Sequence, residues 1–467
     1  MAGIGFTLRK LAAQDNLIGL VRASVHSAFA STGPWLCTVI ALGLLMAVSE
    51  RITSTDLIFE FRAIIVYNFC FSLVFSAPIF MVITRYLADA IHRKNVTTAP
   101  GVLLGGLMLA YGIQLPIATA FYFGVTTLSA ETALCTVLNF MLVTSIWIVS
   151  VFLTALKDYR TVSYAFVGGT VIAIIAAGFL GEYYGLIGLI NGFSIGLALT
   201  FFTLMARVFS EYPYRLRKPF AYLGYFRRYW ELAAAGFLYN IAVWVDKWIM
   251  WFAPERERLD SGLILHSHYD SAMFLAFLTI VPAMAMFVLS IETRFFIHYL
   301  QFYRDILNQA AFRRIQANHK ALQESTLLSA RNFLILQGSL ILILLLYASP
   351  ILEAIKYSAL QLGIFRYGIL GAFFHTMMLF LTIILSYFDC RKAPLVIYGI
   401  FLVTNMAGTW IGLQLGFPYY GTGYAFASVV SFSVAATYTV GYIRKLPYHT
   451  FITTNPAVRA VRQGATL

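Results

Sequence analysis

Charge is what this sequence has least of. Only 11% of its 467 residues are Asp, Glu, Lys or Arg, against about 25% in an ordinary soluble domain. A soluble chain of this length could not cover its core with so few charges, which excludes a cytosolic enzyme and a disordered scaffold. Cysteine is scarce as well. Cys37, Cys70, Cys135 and Cys390 include no CxxC pair, so a disulfide framework and a thiolate metal site are excluded and free thiols are expected. There is no G-x-x-x-x-G-K phosphate loop and no polar stretch large enough for a nucleotide-sugar domain. The apolar runs hold no paired carboxylates and no His cluster. No catalytic residues, no metal and no cofactor are therefore expected. Acidic residues are the rarer sign, 20 against 33 basic, giving +13. On a membrane protein that excess marks loops kept on the cytoplasmic side rather than a nucleic-acid partner.

What is present is apolar: 60% of residues are hydrophobic and 16% aromatic. The runs are about 20 residues long and do not alternate, so they predict spanning helices rather than strands of an outer-membrane barrel. Twelve spans are expected, at 28–48, 63–84, 101–124, 132–156, 161–180, 185–208, 230–252, 271–292, 331–351, 364–388, 394–415 and 423–443. No cleavable signal peptide is apparent, and the first run is long enough to stay as a helix. With the N-terminus inside, the inner segments carry 26 Lys and Arg and the outer loops five. That asymmetry places both termini in the cytoplasm of a multi-pass protein.

The chain also echoes itself. Leu180-Gly181-Glu182-Tyr183-Tyr184-Gly185 resembles Leu415-Gly416-Phe417-Pro418-Tyr419-Tyr420-Gly421, and Asp158-Tyr159-Arg160 resembles Asp389-Cys390-Arg391. Both pairs are separated by close to half the chain. The expected fold is all-α and polytopic, with twelve transmembrane helices in two six-helix bundles related by a pseudo-two-fold axis along the membrane normal. The expected divisions are an amphipathic segment 1–27, a first bundle 28–208, a basic linker 209–229, a second bundle 230–443 and a tail 444–467. Within the second bundle, residues 293–330 form a cytoplasmic segment. It interleaves Phe295, Phe296, Tyr299, Phe302, Tyr303, Ile306 and Leu307 with basic residues at helical spacing. It is read either as an anchor to anionic membrane lipid or as a docking surface centred on Arg304, Arg313 and Arg314.

The opening Met1-Ala2-Gly3-Ile4-Gly5-Phe6-Thr7-Leu8-Arg9-Lys10-Leu11, followed by Ser31-Thr32-Gly33-Pro34-Trp35, resembles the PelG family. That family is the inner-membrane polysaccharide transporter of bacterial Pel exopolysaccharide secretion, within the multidrug/oligosaccharidyl-lipid/polysaccharide flippase (MATE/MOP) superfamily. The likeness covers the whole chain in length and span number, and its specific part is the first 35 residues. It implies export of a polysaccharide substrate across the inner membrane, with a cytosolic Pel-type glycosyltransferase and other Pel inner-membrane components as partners. An ion-coupled small-molecule exporter and a lipid-linked oligosaccharide flippase are the alternatives on the same architecture.

Candidate residues for transport are the ionisable ones inside spans, because a charge in hydrocarbon costs at least ~2.5–3.5 kcal/mol and needs a cavity or a partner. Asp246 and Lys247 lie in the seventh span, within Trp244-Val245-Asp246-Lys247-Trp248. Arg366 and His375 lie in the tenth, and Glu292 ends the eighth. Neighbours on a helix are about 100° apart, so Asp246 and Lys247 are expected to point different ways, one toward a cavity and one toward another helix or the interface. Trp35, Tyr67, Tyr111, Trp147, Tyr239, Trp244 and Trp410 offer faces that can stack on sugar rings, although core packing is the common use of such residues. Two motif matches are decoys. Gly192-Phe193-Ser194-Ile195-Gly196 fits G-x-S-x-G but has no strand before it; with Gly188 it reads as a close helix contact. His266 and His268, near Asp260 and Asp270, read as a solvated outer loop.

Overall fold

A computed structural model describes residues 55–155, 159–284, 295–355, 357–358 and 360–453. The segment 1–27, the span 28–48 with Trp35 and Cys37, the opening motif, Asp158, Glu292, Arg294 and the end of the tail lie outside the described residues.

Helices dominate. In chain order they are α1 (Thr55–His92), α2 (Ala99–Gly124), α3 (Ala130–Ala155), α4 (Tyr159–Glu211), α5 (Leu223–Arg228) and α6 (Trp230–Met250). A two-stranded hairpin follows, β1 (Glu257–Arg258) with β2 (Ile264–Leu265). Then come α7 (Ser267–Leu278), α8 (Phe296–Leu307), α9 (Phe312–Leu346), α10 (Ala348–Ala354), α11 (Gln361–Tyr387), α12 (Lys392–Leu415) and α13 (Thr422–Arg444). Among the described residues, eight helices are long and apolar enough to cross a membrane. They are α1–α4, α9 and α11–α13. The protein is an all-α polytopic membrane protein. Asp246 and Lys247 dilute the apolar character of α6, which is otherwise of spanning length at about 1.5 Å per residue.

The helices begin and end where the sequence supplies the means. Pro100 sits in the first turn of α2, where its missing N–H costs nothing. Pro78 and Pro116 lie inside α1 and α2. The α4 helix contains two expected spans, and they part at Gly185, which has φ +56° and ψ −132°. Only glycine takes that conformation without strain. Beyond this turn the small residues pack back on the preceding limb: a Cβ at Gly192 would lie 2.3 Å from Ala177 N, and one at Gly196 would lie 2.3 Å from Gly169 O. Gly192 and Gly196 are thus a packing surface on a helix, as read from the sequence.

Two connections take a definite form. The segment 293–330 continues without a break into the expected ninth span. Helix α9 starts at Phe312 and runs unbroken to Leu346, because no Gly or Pro interrupts 312–337 and most residues there favour helix. Its 35 residues extend ~52 Å, well beyond the ~30 Å hydrocarbon core, and its start packs beside α8. The linker 209–229 packs on the first bundle's helices. It straps the start of α2, where Arg217 and Pro219 backbone lie against Gly101 and Gly105 and Tyr222 OH donates to Gly105 O at 3.0 Å.

Apolar side chains gather in two main cores. One is built by α1–α4 with Tyr222, Trp251, Leu263 and Leu265. The other is built by α6–α9 and α11–α13. They meet along α1 and α6, which run antiparallel. Residue numbers climb on one helix as they fall on the other, through Tyr67–Trp251, Phe71–Trp248, Met81–Gly236 and Asp89–Tyr229.

Candidate functional site

The ionisable residues of the seventh span form the centre of a buried polar cluster in the second core. Asp246 is fully buried. Contrary to the expectation from helix geometry, it is paired with its own neighbour: Lys247 Nζ donates to Asp246 Oδ1 and Oδ2 at 3.1 and 3.0 Å. The four-carbon lysine stem bends back along α6 and also reaches Val243 O at 3.1 Å. The 100° offset separates Cβ directions, not the end of a long side chain. Tyr269 OH, from α7, donates to Asp246 Oδ2 at 2.9 Å. The ammonium lies 4.7 Å from the Phe277 ring centre, 5.8 Å from Tyr424 and 5.9 Å from Trp244. Charge, hydrogen bonds and ring faces together replace the lost water.

The cluster continues into α11 and α13. His375 Nδ1 is 2.8 Å from Tyr424 OH and His375 Nε2 is 3.1 Å from Tyr239 OH. Phe277 and Phe401 pack their rings against the imidazole. Five of the expected residues, Tyr239, Trp244, Asp246, Lys247 and His375, therefore come together. Arg366 does not: it is exposed on the first turns of α11. Tyr269, Tyr424 and Phe277 were not singled out by the sequence, since nothing in it says which of 28 Tyr and 40 Phe will meet a buried charge.

The first core holds a second polar network without any charge. Asn68 Nδ2 donates to Asn139 Oδ1 at 2.9 Å, Asn139 Nδ2 to Ser194 Oγ at 2.8 Å, and Tyr122 OH to Asn68 Oδ1 at 2.7 Å. Gln114 bridges Ser76 and Thr144 at 3.0 and 2.9 Å. Tyr111 OH lies 2.5 Å from Ser145 Oγ, and Trp147 Nε1 donates to Ser72 Oγ at 3.2 Å. A search for ionisable groups in spans passes over all of these.

The seam between α1 and α6 is closed differently at its two ends. At one end, Tyr67 stacks on Trp251 at 4.6 Å with an 8° tilt, and Phe71 on Trp248 at 5.4 Å with a 7° tilt. Glu60 accepts from Ser261 N at 2.8 Å nearby. At the other end the closure is ionic. Asp389 binds Arg391 through Nη2 at 2.7 Å and Nε at 3.1 Å, and accepts from Arg85 of α1 at 3.4 Å. Arg85 also pairs with Asp89 at 3.2 Å. The Arg391, Arg85 and Arg228 guanidinium carbons lie 4.4, 4.9 and 5.4 Å from the centre of the Tyr229 ring. Asp389 raises the Arg391 guanidinium further above its already high range.

The outer-loop histidines need a correction. His266 is fully buried, not solvated. Its Nδ1 accepts from Tyr269 N at 3.2 Å and caps α7, and its backbone N–H points to Asp270 Oδ2 at 3.4 Å. Burial lowers its pKa below the usual imidazole value, opposed in part by the Glu255 carboxylate. Among the described residues no group of three His, Cys, Asp or Glu could hold a metal ion.

The basic docking candidates divide. Arg304 and Arg313 are exposed. Arg314 Nε is held by Asp305 at 3.1 Å, and Asn318 Nδ2 also donates to that carboxylate, so Arg314 fastens the turn between α8 and α9.

Comparison with known proteins decides the family. The sequence model of the PelG family, described as "Putative exopolysaccharide Exporter (EPS-E)", matches residues 1–451. The chain belongs to the PelG family. No curated protein matches it. Among solved structures, it is similar to a MOP superfamily transporter from Pyrococcus furiosus, with TM-score 0.64 and 12% identity over 91% of this chain and 96% of that one. It is also similar to a multidrug resistance MATE family transporter in its outward-facing conformation, with TM-score 0.63 and 13% identity over 91% of this chain and 96% of the other. The inward-facing conformation of such a transporter gives TM-score 0.59 and 13% identity over 96% and 99%. At these identities the likeness establishes the fold. Family and fold together point to a membrane transporter rather than an enzyme.

Proposed function

We propose that this transporter exports a Pel-type polysaccharide across the bacterial inner membrane, by alternating access between two six-helix bundles related by a pseudo-two-fold axis. The observation that carries the reading is the PelG-family match over residues 1–451 on a MATE-like fold. The two cores joined along α1 and α6, with distinct closures at each end, suit such a cycle. Both termini are then cytoplasmic, in keeping with the placement of the basic loops.

Export of a growing chain needs its synthase at the cytoplasmic mouth. A cytosolic glycosyltransferase docks, on this reading, against the α8–α9 hairpin, where Arg304 and Arg313 are free to meet an acidic patch and hasten encounter. Other Pel inner-membrane components complete the assembly. The decisive experiment is gene deletion: secreted polymer is lost while drug sensitivity is unchanged. Polymer that persists without the protein refutes export. For docking, Ala or Glu at Arg304 and Arg313 releases the glycosyltransferase from membranes and from detergent-purified complexes. Retention at the wild-type level assigns the hairpin to anionic lipid instead. Arg314→Ala is the poorer probe, because it also frees the buried Asp305.

One observation favours a second reading. The Asp246–Lys247 pair touching Tyr269 and, through Tyr424, His375 is a chain of titratable groups inside the membrane, as an ion-coupled exporter of small molecules would need. Drug accumulation in the deletion strain would select it.

A further inference from the structure

We propose that the aromatic end of the α1–α6 seam is a stacking site for pyranose rings, occupied in this closed state by the protein's own rings. The inference rests on the polysaccharide-export reading and names where the sugar is held.

Four rings form two nearly coplanar stacks, Tyr67 on Trp251 and Phe71 on Trp248. In each stack one ring belongs to α1 and the other lies on or just past the end of α6. Within each helix the rings are one turn apart, so the stacks sit one above the other. Phe121 of α2 extends the first stack, 6.0 Å from Tyr67 with a 20° tilt. The polar atoms of these rings are all engaged by protein. Trp251 Nε1 donates to Asp270 Oδ2 at 3.0 Å, Trp248 Nε1 to Cys70 Sγ at 3.3 Å, and Tyr67 OH to Ile264 O at 2.9 Å. The Trp251 edge is held by α7, while the Trp248–Cys70 bond crosses to α1 and is given up when the two helices part. When α1 and α6 part, each ring loses its partner from the other helix, and flat apolar faces line the gap.

Pyranose rings present an apolar C–H face of the right size for such a surface, and aromatic linings with few polar groups are the common make-up of ligand sites between helices. Exchanging ring–ring for ring–sugar contact changes little in energy. A moving polymer requires that, since its contacts must be favourable enough to enter and weak enough to leave. Stacking also tolerates variation in the sugar's hydroxyls.

The test uses full-length protein expressed in a strain lacking the gene, with secreted polymer measured at matched membrane abundance and matched thermal unfolding in detergent. Trp251→Leu and Trp248→Leu are expected to lower secretion at least tenfold. Trp251→Phe and Trp248→Phe, which keep a face but lose the indole N–H, recover most of it. Phe426→Leu, on an exposed face of α13, secretes as wild type. Leu variants that secrete normally overturn the proposal, as do Phe variants as defective as Leu, because the ring face would then not be what matters. If the deletion strain itself still secretes polymer, the export reading fails first, and that result is separate from any variant.

Discussion

Asp389→Asn should open the ionic end of the seam. Asp389 holds both Arg391 and Arg85, and Arg85 belongs to the other core. Its backbone sits at φ +55°, a left-handed conformation that Asn also tolerates, so the turn survives the substitution and only the charge is lost. The side chains involved are 20–45% exposed. Ion pairs so accessible are worth about 0.2–1 kcal/mol each. Only the Arg85 pair crosses the seam, and losing it costs about 0.2–1 kcal/mol, which is roughly 1.4- to 5-fold in an open-to-closed ratio. A reporter cysteine placed at buried Ala233 in a cysteine-free background reads that ratio as its maleimide labelling rate. The Asn variant should label about 1.4- to 5-fold faster at low salt. Raising salt to 1 M, where the Debye length falls to ~3 Å, should move the wild type toward the Asn variant. Equal labelling of Asn and wild type, with no salt effect, refutes the latch.

Three further outcomes follow from the buried groups. Asp246→Asn leaves Lys247 without its counter-charge and should cost about 3–5 kcal/mol, seen as lost membrane abundance and a lower unfolding temperature. Adding Lys247→Met should recover most of it, and a double variant that folds but does not export would assign the pair to transport. His266, whose pKa burial lowers, gives stability that is complete above the usual imidazole range and declines as pH falls below it, because the unfolded state takes up the proton first. Unfolding in detergent should therefore occur at lower temperature at pH 5 than at pH 8, and His266→Gln should flatten that difference. Gly192→Val should prevent the two limbs of α4 from closing, since a Cβ there meets Ala177 backbone at 2.3 Å. Wild-type abundance of that variant would contradict the packing.

The sequence by itself determined the class of molecule, because the requirement that every backbone polar group in hydrocarbon be satisfied within its own segment makes apolar length nearly equivalent to a spanning helix. It located Gly185 and the Gly416–Gly421 turn, where positive φ demands glycine, and it marked Asp246, Lys247 and His375 by the cost of charge in lipid. It read 293–330 as helical from its spacing, but hydropathy, which registers the membrane, gave no sign that one helix runs unbroken from Phe312 to Leu346. It also set Asp246 and Lys247 apart, because periodicity fixes Cβ directions and says nothing of where a flexible ammonium comes to rest. The partners in these sites come from elements far apart in the chain. Tyr424 reaches His375 across 49 residues, Arg85 reaches Asp389 across 304, and Trp251 covers Tyr67 from just past the end of α6. Only tertiary packing brings such residues within a few ångströms, and only packing could show that one seam is closed by charge at one end and by ring faces at the other.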